Sequence, residues 1–236
     1  MNGQDEVARY CSHFEAELVE VRALERELFQ RPLLFSMLET IGKCRYSPIL
    51  TGDAQLGNGR RFKKLLDEHG NWPETREHGL PQILYRLEKQ GIAGGDLYDL
   101  VSSAVSEWES GRPQFLSADI DTATLMTVAV TDEERVTVNF ARHDSLLWIY
   151  RNNLVHEFRE PGYPWPFPET RVPHYMHMTD LEPESGPRSE TWQLSYPVSW
   201  LESLVTSALA GLASHCRIHG ANPYDAYAFG SLWSAT

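Results

Sequence analysis

HDSLLWIYRNNLVHEFRE, residues 143–160, is the stretch on which the reading of this chain turns. Leu147, Tyr150, Leu154 and Phe158 recur at three and four residues, the spacing of one face of an α-helix. Asp144 or Ser145 is expected at the N-cap, where a side-chain oxygen accepts a first-turn N–H. Set into this apolar helix are Arg151, Asn152 and His156. Such side chains must reach solvent, a partner or one another, because an unpaired polar group costs free energy when buried. Asn152 and His156 are four apart and share a face. Arg151 and His156 are five apart, about 140° around the helix. They meet only if the long arginine reaches across, or if a second chain supplies the complementary half.

Upstream, the sequence reads as helix after helix. Val7, Tyr10, Phe14, Leu18, Val21, Leu24 and Leu28 form one apolar stripe, which predicts a first helix of about seven turns. Arg31-Pro32 is expected to break or re-aim the chain, and Leu34, Met37, Leu38 and Ile41 predict a second helix. After the turn-rich YSPILTGDAQLGNG comes the short basic helix RRFKKLLDEHG, stopped by Gly70. Further helices are expected from Pro81 to Lys89, ended by Gly91, and along Leu97, Leu100, Val101, Ala104, Val105 and Trp108, ended by Gly111. Between these and residue 143 the pattern changes. LMTVAVTDEERVTVNF is rich in Val and Thr, alternates in period two and predicts a β-hairpin insertion at about 124–140 turning at Thr131-Asp132-Glu133-Glu134. Downstream, PGYPWPFPETRVP, residues 161–173, holds five prolines and can be neither helix nor central strand, so an extended, packed arm is expected. HYMHMT and ETWQLSY read as a second hairpin around DLEPESGPRS. A last helix is predicted from Pro197 to Arg217, with Leu201, Leu204, Val205, Ala208, Leu209 and Leu212 on one face, followed by an aromatic tail after Gly220. The expected fold is mainly α: one domain over 1–236, a helical bundle from about 5–110, 144–160 and 197–218, with small β-hairpin insertions.

Composition narrows the function. At 236 residues, with 42% hydrophobic and 23% charged, the chain can bury a core and is not expected to be disordered throughout. Lys+Arg number 21 against 33 Asp+Glu, a net charge of -12, which excludes a broad basic surface but leaves room for a local basic cleft. No apolar run approaches the roughly 18 residues of a membrane span, and the acidic start MNGQDEVARYCSHFEAE argues against a signal peptide. Cys11, Cys44 and Cys216 are odd in number and lack CxxC spacing, as expected of a reduced, cytoplasmic protein.

Arg151-Asn152-Asn153-Leu154-Val155-His156 resembles the R-x(4–6)-H signature of the HEPN domain family, with a polar residue directly after the arginine. The order of a late motif helix, a loop and a long final helix is similar to that family's arrangement. The resemblance covers the architecture of most of the chain, but in signature only about fifteen residues. It implies a HEPN-like helical bundle and a metal-independent endoribonuclease, with Arg151, His156 and Asn152 as catalytic residues, RNA as substrate and no cofactor. It also implies a homodimer in which motif helices from two chains line one cleft, and a setting in toxin–antitoxin or antiviral defence with an antitoxin protein as partner. Some members carry a modified tyrosine two residues after the histidine. Phe158 stands there, so that form of neutralisation is not expected.

The residues agree with this chemistry on their own terms. Attack by a 2′-hydroxyl needs a group that exchanges protons near neutral pH, which imidazole does, and a fixed cation for the crowded phosphate, which guanidinium supplies. Arg159, Arg60, Arg61, Lys63 and Lys64 are the candidate RNA-binding cations, although such a run on a helix is more often a solvated face. Two readings stay open beside the enzyme: a non-catalytic HEPN-like protein that binds RNA, nucleotide or a protein, and a helical interaction scaffold. A metal site is not expected, because His174 and His177 point to opposite faces of a strand. Asp119 with Asp121, and Glu157 with Glu160, are read as surface carboxylates.

Overall fold

The structure, a computed structural model, describes residues 3–51, 56–161, 169–179 and 190–226. In chain order these form α1 (Gly3–Arg22), α2 (Glu27–Arg45), the single turn α3 (Pro48–Thr51), α4 (Asn58–His69), α5 (Leu80–Lys89), α6 (Asp96–Ser106), β1 (Gln114–Phe115), α7 (Thr122–Val128), α8 (Asp132–Phe140), α9 (His143–Glu157), β2 (His174–Thr179), β3 (Glu190–Ser195) and α10 (Val198–His219). The protein is mainly helical with one small antiparallel sheet, ordered β1-β2-β3, in which Tyr175 pairs with Gln114 on one side and Leu194 on the other. Among the described residues no helix is long and apolar enough to cross a membrane. The chain divides into two compact units: Met1–Trp72 together with Leu201–Thr236, and Pro73–Trp200.

The first unit gathers α1, α2, α4 and most of α10. The α1 stripe is buried at Val7, Tyr10, Phe14, Leu18 and Val21, but the helix ends at Arg22, so Leu24 and Leu28 do not continue it. The expected break at Arg31-Pro32 is also displaced, because the chain turns at residues 23–26 and Pro32 sits inside α2. Proline there removes one backbone bond near the helix start, a loss that the buried Leu34, Phe35, Leu38 and Ile41 outweigh. Gly211 of α10 permits a close approach: an added Cβ would lie 2.4 Å from Nδ1 of His69. After Gly220 the chain docks, with Tyr224 edge-on to Tyr10 and the Cys44 thiol donating to the Pro223 carbonyl at 3.1 Å. The three cysteines are free, and burial pushes the Cys44 thiol up to about 12.

The second unit carries the motif helix. Its core joins Leu80, Ile83 and Leu87 of α5, Leu97 and Val101 of α6, Leu125 of α7 and Val138 of α8, with Ala129 and Ala141. The hairpin expected at 124–140 is therefore two helices. Thr131 and Glu134 form a reciprocal capping box that starts α8, and Asp121 caps α7 through the Thr124 N–H. A strand would have put Val136, Val138 and Phe140 on one face. The helix instead buries Thr137 and Val138 and leaves Val136 and Phe140 exposed. β-propensity spans only about 1 kcal/mol and yields to packing and caps. The second expected hairpin is present as β2 and β3. Most of the proline-rich arm at 161–173 lies outside the described residues, as do the loop 180–189 and the tail 227–236.

Candidate functional site

The N-cap of helix α9 lies two to three residues before the expected Asp144 or Ser145. Arg142 takes the N-cap position without a side-chain cap, because arginine has no acceptor, and Asp144 instead accepts Arg142 Nη2 at 2.8 Å and the Ser145 hydroxyl at 3.1 Å. Leu147, Tyr150 and Leu154 are buried as their spacing requires, each worth about 1.5–3 kcal/mol on leaving water. That buried line fixes the rotation of the helix and so decides what Arg151, Asn152 and His156 face. His156 is exposed, and Arg151 and Asn152 are half-buried.

The long arginine does reach across. Its guanidinium lies 5.1 Å from the Trp148 ring, and Nη1 donates to Asn152 Oδ1 at 3.0 Å and to His156 Nε2 at 3.3 Å. Arginine can only donate, so Nε2 is the acceptor and the ring proton sits on Nδ1. The three residues are brought together on one accessible patch. Asn152 meets the guanidinium through its Oδ1. The helix closes directly beyond, where Phe158 takes a left-handed conformation (φ 53°) and its N–H bonds the Asn153 carbonyl. Tyr150 donates to Glu160 at 2.7 Å and fixes the exit path.

The candidate RNA-binding cations divide. Arg159 is exposed and spends its fork on Glu157, Nε at 2.6 Å and Nη2 at 2.5 Å. Arg60, Arg61, Lys63 and Lys64 lie on α4, in the unit that does not carry Arg151. Arg61 donates to Asn58, and Lys64 sits 3.7 Å from Glu68 and over the Tyr46 ring. Among the described residues no cluster of histidine, cysteine and carboxylate could hold a metal ion.

A second polar group lies at the opposite end of α9. Asp119, read from sequence as a surface carboxylate, has its side chain buried. It accepts the Tyr175 hydroxyl at 2.7 Å and the first N–H of α5, from Leu80, at 3.1 Å, and it lies 3.0 Å from Nε2 of the fully buried His143. Burial first, and Asp119 next, raise the Tyr175 hydroxyl well above its ordinary range, so it remains a donor. Beside it His78 lies 3.0 Å from Thr122 Oγ1. Burial, followed by Arg142 and His143, lowers its pKa to about 4, against the opposing pull of Glu77 and Asp144. This group joins α5, the 116–121 segment, β2 and α9. It holds the frame. No family model, no curated protein and no solved structure matches this chain.

Proposed function

We propose that the protein is an endoribonuclease that needs no metal and cuts RNA by attack of a 2′-hydroxyl, with Arg151 and His156 as its catalytic residues. The observation that carries this reading is the 3.3 Å contact between the Arg151 guanidinium and the Nε2 lone pair of an exposed imidazole. A proton acceptor and a fixed cation stand side by side where a polymer can reach them. A phosphate entering here takes the guanidinium fork, which frees Nε2 to accept the 2′-hydroxyl proton. The 2′-oxygen then bonds to phosphorus, the bond to the 5′-oxygen breaks, and that oxygen takes a proton. Arg151 offsets the charge that gathers on the phosphate oxygens during the exchange. Asn152, bonded to Nη1, keeps the guanidinium in place.

One chain presents one imidazole, whereas the reaction uses an acceptor and a donor. An isologous dimer through this face would set a second Arg151–His156 pair in the same groove, so a homodimer is part of the proposal. The resemblance to HEPN proteins supports the same assignment through the signature around Arg151 and His156, and a role in defence beside an antitoxin protein rests on that resemblance alone. The test is cleavage of total RNA by the purified protein in EDTA, beside Arg151→Ala and His156→Ala. Cutting by the parent and about 100-fold or greater loss in each variant is expected. Undiminished cutting by either variant removes the site, and an inert parent leaves RNA binding or scaffolding as the function.

A further inference from the structure

The same unit contains a cavity of about 570 Å³ against α9, lined by α5, β3 and the residues that follow α9. Its volume lies in the range of ligand pockets, about 300–1,000 Å³. Aromatic side chains form its wall: Tyr85, Phe140, Tyr150, Trp192 and Tyr196. Trp192 is held edge-on to Trp108 and against His177, and Tyr196 lies edge-on to Tyr150, so the inner surfaces are fixed. At the mouth, Tyr85 is 58% exposed and Phe140 40% exposed, a costly display for a wall with nothing to cover.

Cations border these two rings. The Arg86 guanidinium stands 4.0 Å from the Phe140 ring centre, and Lys89 stands 5.4 Å from that of Tyr85; Arg159 lines the cavity with its fork on Glu157. Aromatic faces interleaved with positive charge are the arrangement that receives bases while the backbone passes along the rim. Glu88, also in the lining, offers an acceptor for a base's amino edge. The cavity and the Arg151–His156 patch are carried by the same helix, α9. Ile149 lines it, and His156 stands seven residues further, two turns along nearly the same line.

We infer that this cavity receives one unpaired base of RNA, stacked on Tyr85, and thereby sets which phosphodiester lies on Arg151 and His156. The inference rests on the ribonuclease reading for the second half of that statement, but the base site itself does not need cleavage. Its test is binding of a short single-stranded RNA carrying 2′-O-methyl groups, which cannot be cut, against an abasic strand of equal length. Tyr85→Ala removes an exposed ring and leaves the fold intact, which circular dichroism checks, and Glu88→Gln probes the acceptor independently. The base-bearing strand is expected to bind the parent about 10-fold or more tightly than the abasic one, and Tyr85→Ala to lose about 5- to 100-fold on the base-bearing strand alone. Arg151→Ala and His156→Ala should keep the preference for bases. Equal binding of both strands by the parent, or equal weakening of both by Tyr85→Ala, overturns the base site. Cleavage without base preference defeats the cavity and spares the nuclease. Base preference without cleavage does the reverse.

Discussion

Helix α9 has two polar ends built from similar residues and set in opposite surroundings. At its N-terminus His143 is fully buried against Asp119, whose oxygens also take the Tyr175 hydroxyl and the Leu80 N–H. At its C-terminus His156 is exposed, and its contact in the site is a guanidinium whose fork a phosphate can take over. Identity of side chain therefore says little about role. What separates a structural histidine from a reactive one is whether its partners already satisfy it and whether water reaches it. The apolar line between the ends, Leu147, Tyr150 and Leu154, fixes both environments at once.

The sharpest way to break this contrast is to cut each end. Asp119→Ala strips a buried histidine, a tyrosine hydroxyl and a helix N–H of their shared acceptor, and should cost about 3–5 kcal/mol in chemical denaturation. A loss below about 1 kcal/mol would show that the buried group is not holding the frame. His156→Ala should do the opposite. Under the proposed function it should lower the cleavage rate by about 10²- to 10⁴-fold while shifting stability by no more than about 0.5 kcal/mol. A large loss of stability there would erase the distinction between the ends.

Acid sharpens the comparison. The folded protein holds His78 neutral down to about pH 4, whereas an unconstrained imidazole takes up its proton near 6.5. Between those values the unfolded chain binds more protons, so stability falls as pH is lowered. The loss should start below about pH 6.5, be complete below about pH 4, and amount to about 3 kcal/mol. His78→Gln should flatten that slope, and an unchanged slope would place the acid sensitivity elsewhere. The smallest effect belongs to the helix end. Phe158 adopts a left-handed conformation that glycine takes without strain, so Phe158→Gly should raise stability by about 0.5–1 kcal/mol in a thermal melt. Destabilisation would mean that the exposed ring contributes more by packing than its backbone loses.

What the sequence revealed follows the range of the interactions involved. The Arg151–His156 pair spans five residues on one helix, and its placement could be reasoned from helical geometry. The buried Asp119 could not. Its partners Leu80, Tyr175 and His143 lie 39, 56 and 24 residues away, and nothing local in LSADIDTAT marks an interior carboxylate. Residues 124–140 misled for a different reason. A run of Val and Thr outweighed the Thr131-x-x-Glu134 capping box, which is the more specific signal. The end of α1 carried no signal at all, since Ala23-Leu24-Glu25-Arg26 contains neither glycine nor proline. The cavity beside α9 was equally hidden, because it is assembled from α5, β3 and the residues after α9.

The chemistry of the cut ends tests the central claim most directly. After incubation in EDTA with an RNA strand, and with the same strand bearing 2′-deoxy sugars, the products are separated and their termini identified. Attack by a 2′-hydroxyl predicts fragments ending in a 2′,3′-cyclic phosphate and beginning with a 5′-hydroxyl, and an untouched deoxy strand. Fragments with 5′-phosphates, or cleavage of the deoxy strand, would contradict it.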